Sequence, residues 1–463
     1  MEKREQLGSR LGFIMLSAGC AIGCGNVWKF PWMCGQNGGG SFMLVYVICL
    51  LILGLPAMVM ELSVGRAAQT SPLYMYEKLS GKRKWKIPGI VCLIGNIALI
   101  AFYSVVAGWI IYYFVKFLTG QNADLGFEKM ITTPSVNVGY LLITVVITFV
   151  ILSFRLQGGL ERITKYMMSA LLVLAIHSFT LSGAKDGLAF YLIPDLSKIS
   201  GTMIVKAMNQ AFFTLSVGMG GMAIFGSYIG KERSLLGESV NIIVLDTFVA
   251  VVAGMIMFPA CDTYNLEVTA GPSLLFDTMA SVFNHMQGGR WWGALFFLFM
   301  VFAAMSTVFG VCENLLAMIR ELTGWSRPVG CIVCGIGTFL VALPTALGYS
   351  LIRFQPFAKG TAWLDLWDFI VSNNAMPLGS LILALFCCTR RGWGWNNFLQ
   401  EANAGKGLKI KAWMKPLFCY LFIFMECSRF RGIRRKEGQK LFCPSYFYAI
   451  SFGRGPFFLM KGF

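Results

Sequence analysis

The chain has 463 residues, of which 56% are hydrophobic and only 13% are charged, and its mean hydropathy is +0.66. Soluble domains carry about 25% charged residues, so this composition excludes a soluble protein and predicts an integral membrane protein. The formal net charge of +17 would suit a nucleic-acid partner, but the basic residues follow the membrane topology instead. The sequence therefore predicts a protein that lies in the lipid bilayer and has no nucleic-acid partner.

Apolar segments long enough to cross a bilayer, which takes about 20 helical residues, recur along most of the chain. They cover residues 11–34, 42–62, 88–118, 138–154, 163–182, 204–228, 239–259, 292–319, 329–347 and 369–388. The sequence predicts an all-α membrane protein in which these segments form one bundle, the core over residues 1–388. For residues 389–463 we expect a cytoplasmic loop, a partial eleventh helix in the apolar run 416–425 and an atypical basic tail.

The basic residues gather in alternate loops. The groups at 82–84 and at 390–391 lie on the side of the membrane that would also hold the N-terminus. Lys and Arg are enriched in cytoplasmic loops, so we expect a multi-pass protein of the cell membrane with a cytoplasmic N-terminus. The fourteen cysteines are predicted to be structural, most of them packing as small hydrophobic residues.

The first span is interrupted within the stretch from Ser17 to Pro31, where three glycines, an Asn, a Lys and a Pro break an α-helix. Lipid cannot satisfy the backbone groups that such a break frees, so non-helical backbone at this depth must line a protein cavity. Freed N–H groups suit an anion, and freed C=O groups suit a cation. The break therefore predicts a site for a zwitterion beside a metal ion in a transporter.

A second break lies in the sixth span, within the stretch from Gln210 to Gly221. Five spans followed by five spans, each set opening with a broken helix, predict an inverted repeat with a binding site at its centre. The repeats cover about 11–182 and 204–388, with discontinuous helices 1 and 6. The alternative is that glycine serves only close helix packing in the membrane.

Several motifs together resemble the neurotransmitter:sodium symporter family, which includes bacterial amino-acid transporters such as the leucine transporter. They are Arg4 before Ser9-Arg-Leu-Gly12, the break Gly23–Pro31, Asn37-Gly-Gly-Gly-Ser-Phe42, Glu61 with Gly65-Arg66, Tyr103 before Gly108-Trp109, and Phe212-Phe-Thr-Leu-Ser216. The resemblance covers about residues 1–415. It implies sodium-coupled symport of an amino acid into the cell by alternating access.

The resemblance also implies a substrate site. It assigns this site to Cys20, Ala21, Gly23, Cys24, Gly25, Leu99, Tyr103, Phe213, Thr214, Ser216, Met219, Thr307 and Val311. The N–H groups of Cys24 and Gly25, near the positive end of a half-helix, and the phenol of Tyr103 would hold the substrate carboxylate. The groups that would accept the substrate ammonium are the carbonyls of Ala21, Phe213 and Thr214 and the hydroxyl of Ser216.

The implied side-chain pocket carries no fixed charge. Its lining would be Leu99, Phe213, Met219, Thr307 and Val311, with Cys20 near the amino-acid end. We therefore expect a neutral, hydrophobic or aromatic, amino acid as substrate. Amine transporters of the family tend to have Asp where Gly23 stands, which disfavours a substrate without a carboxylate.

Two sodium sites are implied by the same resemblance. The first consists of Ala21, Asn26, Thr214 and Asp246, with the substrate carboxylate as a further ligand. The second consists of Gly19, Ile22, Ala303, Ser306 and Thr307. Sharing the carboxylate would let ion and substrate each raise the other's affinity. Asp246 stands where the leucine transporter has Asn, which adds a negative charge to the site.

Two charged pairs are expected to act as gates. Lys29 and Asp368 would meet on the outer side, and Arg4 and Glu321 on the inner side with support from Tyr228. Chloride-dependent relatives use a serine on the seventh span where Ala250 stands, so chloride is not expected to be required.

Two other function classes remain as alternatives. A non-transporting amino-acid sensor could keep the same fold and site without the transport cycle, and the unusual tail favours this reading. An intramembrane enzyme is disfavoured, because no Ser/His, Cys/His or His/Glu set stands at helical spacing. A nucleotide-driven pump is disfavoured as well, since the chain has no G-x-x-x-x-G-K-[ST] loop.

Overall fold

A computed structural model of the chain describes most of the predicted core. The described residues are 17–19, 21–123, 125–154, 157–266, 273–358 and 361–423, without the side chains of 157–165 and 421. Within these ranges the regular elements are helices, accompanied by a single isolated bridge between Arg233 and Lys406. The all-α class predicted from the sequence is confirmed.

The helices are numbered here in chain order. They are α1 (Phe30–Gln36), α2 (Gly40–Ala68), α3 (Pro72–Ser80), α4 (Arg83–Thr119), α5 (Phe127–Ile131), α6 (Pro134–Ser153), α7 (Gln157–Ser178), α8 (Ala184–Leu192), α9 (Gly201–Thr214), α10 (Gly221–Gly226), α11 (Leu235–Thr263), α12 (Met279–His285), α13 (Gly289–Thr323), α14 (Arg327–Ala346), α15 (Trp363–Cys388) and α16 (Trp395–Ala402).

Seven of the helices in the described part of the chain are long and apolar enough to cross a membrane by themselves. They are α2, α4, α6, α11, α13, α14 and α15. The protein is therefore a multi-pass membrane protein. The count of ten full spans, the division into two repeats, the domain boundary at residue 388 and the N-terminal orientation stay predictions.

The chain leaves helical geometry at both positions where the sequence predicts a break. Residues 17–19 and 21 are helical, Ile22 and Gly23 form a bend, and a π-helical turn over Gly25–Lys29 then leads into α1. The second irregular segment, residues 215–220, joins α9 to α10. Its backbone takes positive φ at Ser216, Gly218 and Gly220, a conformation that glycine adopts without the steric cost that other residues bear.

Helices α9 and α11, which are distant in sequence, pack against the first irregular segment. Helix α11 packs against the turn Gly25–Lys29, α10 packs against α2, and α13 runs along α4. The α2–α10 approach requires glycine at position 65, since a Cβ there would lie 2.0 Å from the carbonyl oxygen of Ala223. Gln210 on α9 reaches the first segment and donates from Nε2 to the carbonyl of Gly25 at 2.9 Å.

The cysteines pack as expected, with one addition. The described cysteines that form no disulfide are all buried. Cys388 and Cys419 form a disulfide that joins the end of α15 to the π-helical turn Pro416–Leu421. This turn is the described part of the predicted eleventh helix, and residues 427–463 of the predicted tail lie outside the described residues.

A buried arginine ties α16 to the core. Arg66, only 1% exposed, donates from Nε to the carboxylate of Glu401 at 2.7 Å and from a terminal nitrogen to the carbonyl of the same residue. Its other terminal nitrogen donates to the carbonyl of Arg233 at 2.8 Å, and Lys231 Nζ lies 3.1 Å from Glu401. Arg66 thus holds the loop before α11 and helix α16 against the end of α2.

Replacing Arg66 by leucine should lower the melting temperature of the purified protein by several degrees. Removing one partner of a buried ion pair costs about 3–5 kcal/mol, because the other charge remains buried. Thermal unfolding in detergent measures this effect. The matched control is Arg353→Leu at an exposed position, and equal melting temperatures for the two variants would contradict the structural role of Arg66.

Candidate functional site

The first irregular segment contacts α4 and α13 through backbone. The N–H of Cys24 donates to the phenol oxygen of Tyr103 at 2.7 Å. A Cβ at Gly23 would lie 2.2 Å from Thr307 Oγ1 and 2.5 Å from Tyr103 Oη. Glycine at position 23 therefore allows α4 and α13 to approach this backbone, and these four predicted substrate-site residues lie together.

Phe213 packs against the first irregular segment and also contacts Lys29. A Cβ at Gly25 would lie 2.9 Å from the Phe213 ring, so the ring rests directly on the glycine backbone. Lys29 Nζ stands 4.0 Å from the centroid of the same ring, a distance at which a cation is attracted to the aromatic face.

Asp246 on α11 contacts the first irregular segment at Asn26. It is fully buried. Its Oδ1 accepts a hydrogen bond from Asn26 Nδ2 at 2.8 Å, and its carbonyl accepts from the same nitrogen at 3.0 Å. Within the part of the chain that the structure describes, Asp246 Oδ2 has no hydrogen-bond partner. The Thr214 hydroxyl donates to the carbonyl of Gln210 at 2.5 Å.

This arrangement fits a monovalent cation. A buried carboxylate with an unpaired oxygen is costly in an apolar interior, and a cation bound to that oxygen would remove the cost. The further oxygens of the predicted first sodium site belong to Ala21, Asn26 and Thr214. They are neutral hard donors, the ligand type that such a cation prefers.

Ser306 joins α13 to the first irregular segment at the second predicted sodium site. Its hydroxyl lies 3.1 Å from the carbonyl oxygen of Ile22 and 2.9 Å from that of Ala303. A hydroxyl has one proton, so the two carbonyls share a single donor, and a cation bound to all three oxygens would satisfy each of them. Gly19 is buried, and Cys20 lies outside the described residues.

The second irregular segment is held by Glu61 of α2. Its Oε2 accepts from the N–H of Gly218 at 2.6 Å, and its Oε1 accepts from those of Met222 at 3.0 Å and Ala223 at 3.4 Å. One carboxylate thus satisfies three backbone donors that the break frees. The sequence signal for this role was an acidic residue inside an apolar span.

Two amide side chains that sequence analysis missed hold the carbonyl of Met219. They are Asn96 on α4 and Asn314 on α13. The remaining predicted pocket residues, Leu99 and Val311, are buried on the same two helices. The signal that could have revealed the amides is again a polar side chain in an apolar span.

The comparisons with known proteins agree with this geometry. The model of the sodium:neurotransmitter symporter family matches residues 4–134 and 121–427. The chain belongs to this family. It is therefore a sodium-dependent secondary transporter of the membrane and not an enzyme, as the resemblance in the sequence predicted.

Individual relatives of the transporter cover most of its length. The sodium-dependent transporter YhdH of Bacillus subtilis is 32% identical over 396 residues, 83% of this chain and 88% of the relative. A sodium-dependent transporter of Haemophilus influenzae is 31% identical over 407 residues, 83% of this chain and 89% of the relative. The crystal structure of MhsT in complex with L-phenylalanine is similar with a TM-score of 0.83 and 33% identity, covering 93% of this chain and 99% of that one.

The transporter has one of the two predicted gate pairs in contact. Lys29 Nζ lies 2.6 Å from Asp368 Oδ1 and 3.0 Å from the hydroxyl of Ser372. The pair is half-buried, with side-chain exposures of 15% and 33%. The role of this contact as an outer gate stays a prediction.

The other predicted gate involves Arg4, which lies outside the described residues. Glu321 accepts a hydrogen bond from the N–H of Ser71 at 2.7 Å. Tyr228 donates its hydroxyl to Glu313 at 3.4 Å, and Arg327 binds both oxygens of Glu313, at 3.0 and 2.6 Å. Sequence analysis did not anticipate Glu313 as a partner of Tyr228. The support that Tyr228 would give to the Arg4 pair stays a prediction.

Replacing Glu61 by glutamine should lower the melting temperature and reduce sodium-dependent ligand binding. The amide nitrogen of glutamine is a donor, so one of the backbone N–H groups at 218, 222 and 223 would face another donor. Thermal unfolding and ligand binding measure the two effects. Glu128→Gln, at an exposed position, is the control, and a Glu61→Gln variant as stable as that control would refute the role assigned to Glu61.

Proposed function

We propose that the transporter couples the entry of a neutral apolar or aromatic amino acid to sodium by alternating access. The observation that carries this proposal is the buried carboxylate of Asp246, which binds Asn26 of the first irregular segment through one oxygen and has its other oxygen unpaired among the described residues. The relatives support transport, and MhsT with bound L-phenylalanine supports an amino acid as the substrate. The alternative of a non-transporting sensor has no such support.

The substrate carboxylate would bind at the first irregular segment. The N–H groups of Cys24 and Gly25 are its donors, and Tyr103 adds its phenol. The Cys24 N–H now donates to the Tyr103 oxygen at 2.7 Å, so the carboxylate would insert between them and accept from both. The substrate ammonium would bind the carbonyls of Ala21, Phe213 and Thr214 and the hydroxyl of Ser216.

The side chain of the substrate would occupy the space between α4, α13 and the second irregular segment. Its lining would be Cys20, Leu99, Phe213, Met219, Thr307 and Val311. These residues carry no charge, and the described ones are buried. A charged substrate side chain would lose its hydration there without gaining a partner, so a neutral side chain fits best.

Two sodium ions would complete the site. The first would bind Asp246, Asn26, Thr214 and the carbonyl of Ala21, and the substrate carboxylate would also contact it. The second would bind Ser306, Thr307 and the carbonyls of Gly19, Ile22 and Ala303. Because the second ion would bridge the first irregular segment and α13, its release would free that segment to move.

Alternating access would use the two charged pairs as latches. Lys29 with Asp368 would close the outer side, and Arg4 with Glu321 would close the inner side with Tyr228 beside them. A single ion pair near the membrane surface contributes about 0–1 kcal/mol, so these contacts would select between conformations without driving transport. With a cytoplasmic N-terminus in the cell membrane, an inward sodium gradient would drive the substrate into the cell.

Replacing Asp246 by asparagine should raise the sodium concentration that gives half-maximal phenylalanine binding by about tenfold. This shift corresponds to about 1.4 kcal/mol, a modest value for the loss of a negative charge beside a cation. Binding of labelled phenylalanine to the purified protein, with potassium replacing sodium, measures it.

The control for this variant is Asp195→Asn, which removes an exposed carboxylate outside the proposed site. It should leave the sodium dependence unchanged. A sodium midpoint for Asp246→Asn equal to that of the control would contradict the first sodium site.

Uptake should not depend on chloride. Ala250 offers no side-chain hydroxyl, and its carbonyl accepts a hydrogen bond from Tyr191 Oη at 3.3 Å. Asp246 also supplies a fixed negative charge near the proposed cation. Uptake of labelled phenylalanine into proteoliposomes should therefore be equal in chloride and in gluconate, and it should fall to background when potassium replaces sodium. Loss of uptake in gluconate would disprove chloride independence.

A further inference from the structure

In the second irregular segment, the backbone carbonyl of Met219 accepts hydrogen bonds from two different helices. Its carbonyl accepts a hydrogen bond from Asn96 Nδ2 on α4 at 2.8 Å and a longer one from Asn314 Nδ2 on α13 at 3.5 Å. Because a fixed carbonyl fixes the adjoining Cα, these contacts set where the Met219 side chain begins.

The two amides also contact each other. Asn314 Nδ2 lies 3.2 Å from Asn96 Oδ1, and Asn96 donates a further hydrogen bond to the carbonyl of Cys92 at 2.7 Å. Asn96 is 2% exposed and Asn314 is fully buried. Buried amides are costly unless they are hydrogen-bonded. These contacts satisfy both polar groups of Asn96 and the nitrogen of Asn314, while Asn314 Oδ1 has no hydrogen-bond partner among the described residues.

The thioether of Met219 rests on bare backbone next to Asn96. A Cβ at Gly95 would lie 2.6 Å from Met219 Sδ and 3.4 Å from its Cγ. Any side chain at position 95 would therefore displace the sulfur from α4. Gly95 and Asn96, consecutive residues, hold the side chain and the backbone of Met219 respectively.

The contacts of Gly95, Asn96 and Asn314 with Met219 are here called the clamp. The clamp lies on the two helix faces that would line the proposed side-chain pocket. Leu99 follows Gly95 by four residues on α4, and Asn314 follows Val311 by three residues on α13. Residues with these spacings lie on one face of a helix, about one turn apart. Met219 is thus held one turn from the pocket residues Leu99 and Val311.

We propose that Gly95, Asn96 and Asn314 determine the size of the substrate side chain by holding Met219 against α4. This inference rests on the proposed function and adds to it residues that do not touch the substrate. Methionine has three flexible side-chain torsions and adapts to its surroundings. Retraction of its sulfur onto Gly95 leaves room for a large ring, and displacement of the sulfur reduces that room.

The first test is Gly95→Ala in the full-length transporter. Phenylalanine and alanine are measured as competing ligands in saturating sodium, and the ratio of their dissociation constants is compared with that of the unmodified protein. The added methyl group should shift this ratio against phenylalanine by about tenfold, the lower bound for one methyl-sized change in a hydrophobic pocket. Gly337→Ala, where a Cβ meets open space, should leave the ratio unchanged.

The second test is a double-mutant cycle with Met219→Ala. If the methyl group at position 95 acts through the Met219 sulfur, Gly95→Ala should no longer alter the ratio once that sulfur is absent. Asn96→Leu, which keeps the side-chain size but loses the hydrogen bond to the Met219 carbonyl, should alter the ratio while the sodium midpoint stays within about twofold.

The possible outcomes separate this inference from the proposed function. An equal loss of affinity for both amino acids in Gly95→Ala, or a full effect of Gly95→Ala without Met219, would overturn the clamp. Failure of the unmodified protein to bind any amino acid in sodium would instead overturn the proposed function and the clamp with it. A shifted ratio that depends on Met219 would support the clamp.

Discussion

The backbone N–H and C=O groups of the two irregular segments need hydrogen-bond partners, and lipid cannot supply them. The partners must therefore come from within the helix bundle. The structure meets this constraint with polar side chains from the surrounding helices. Glu61 accepts from the N–H of Gly218 in the second segment and from two N–H groups at the start of α10, and Tyr103 accepts from Cys24 in the first segment. Asn96 donates to the carbonyl of Met219. The site therefore depends on a few buried polar residues placed on α2 and α4.

The two buried acids near these segments differ in how far they are satisfied. Glu61 uses both oxygens to accept backbone hydrogen bonds. Asp246 uses one oxygen for Asn26, and its other oxygen has no hydrogen-bond partner among the described residues. A saturated carboxylate holds structure, whereas an unsaturated one can bind a ligand. This difference supports the proposal of a cation at Asp246 and a structural role for Glu61.

Sequence reasoning located the irregular segments because glycine, asparagine and proline inside an apolar span interrupt the helix that lipid would otherwise require. It also anticipated the approach of Lys29 to Asp368, although more than 300 residues separate them, through the resemblance to the family. It did not anticipate the amides at 96 and 314. A single asparagine in an apolar helix looks like a local hydrogen-bonding residue until a partner on another helix is visible.

The membrane class, the family and the places where helices cannot continue are all readable from the amino-acid sequence. These properties follow from local composition and from motifs that one stretch of chain contains. Only the folded bundle shows which partner each buried polar group has. Examples are the ion pair of Arg66 with Glu401 and the hydrogen bond of Asn96 to the Met219 carbonyl. Such pairings depend on how helices that are distant in sequence pack side by side. No local pattern of residues specifies which of these helices will be neighbours.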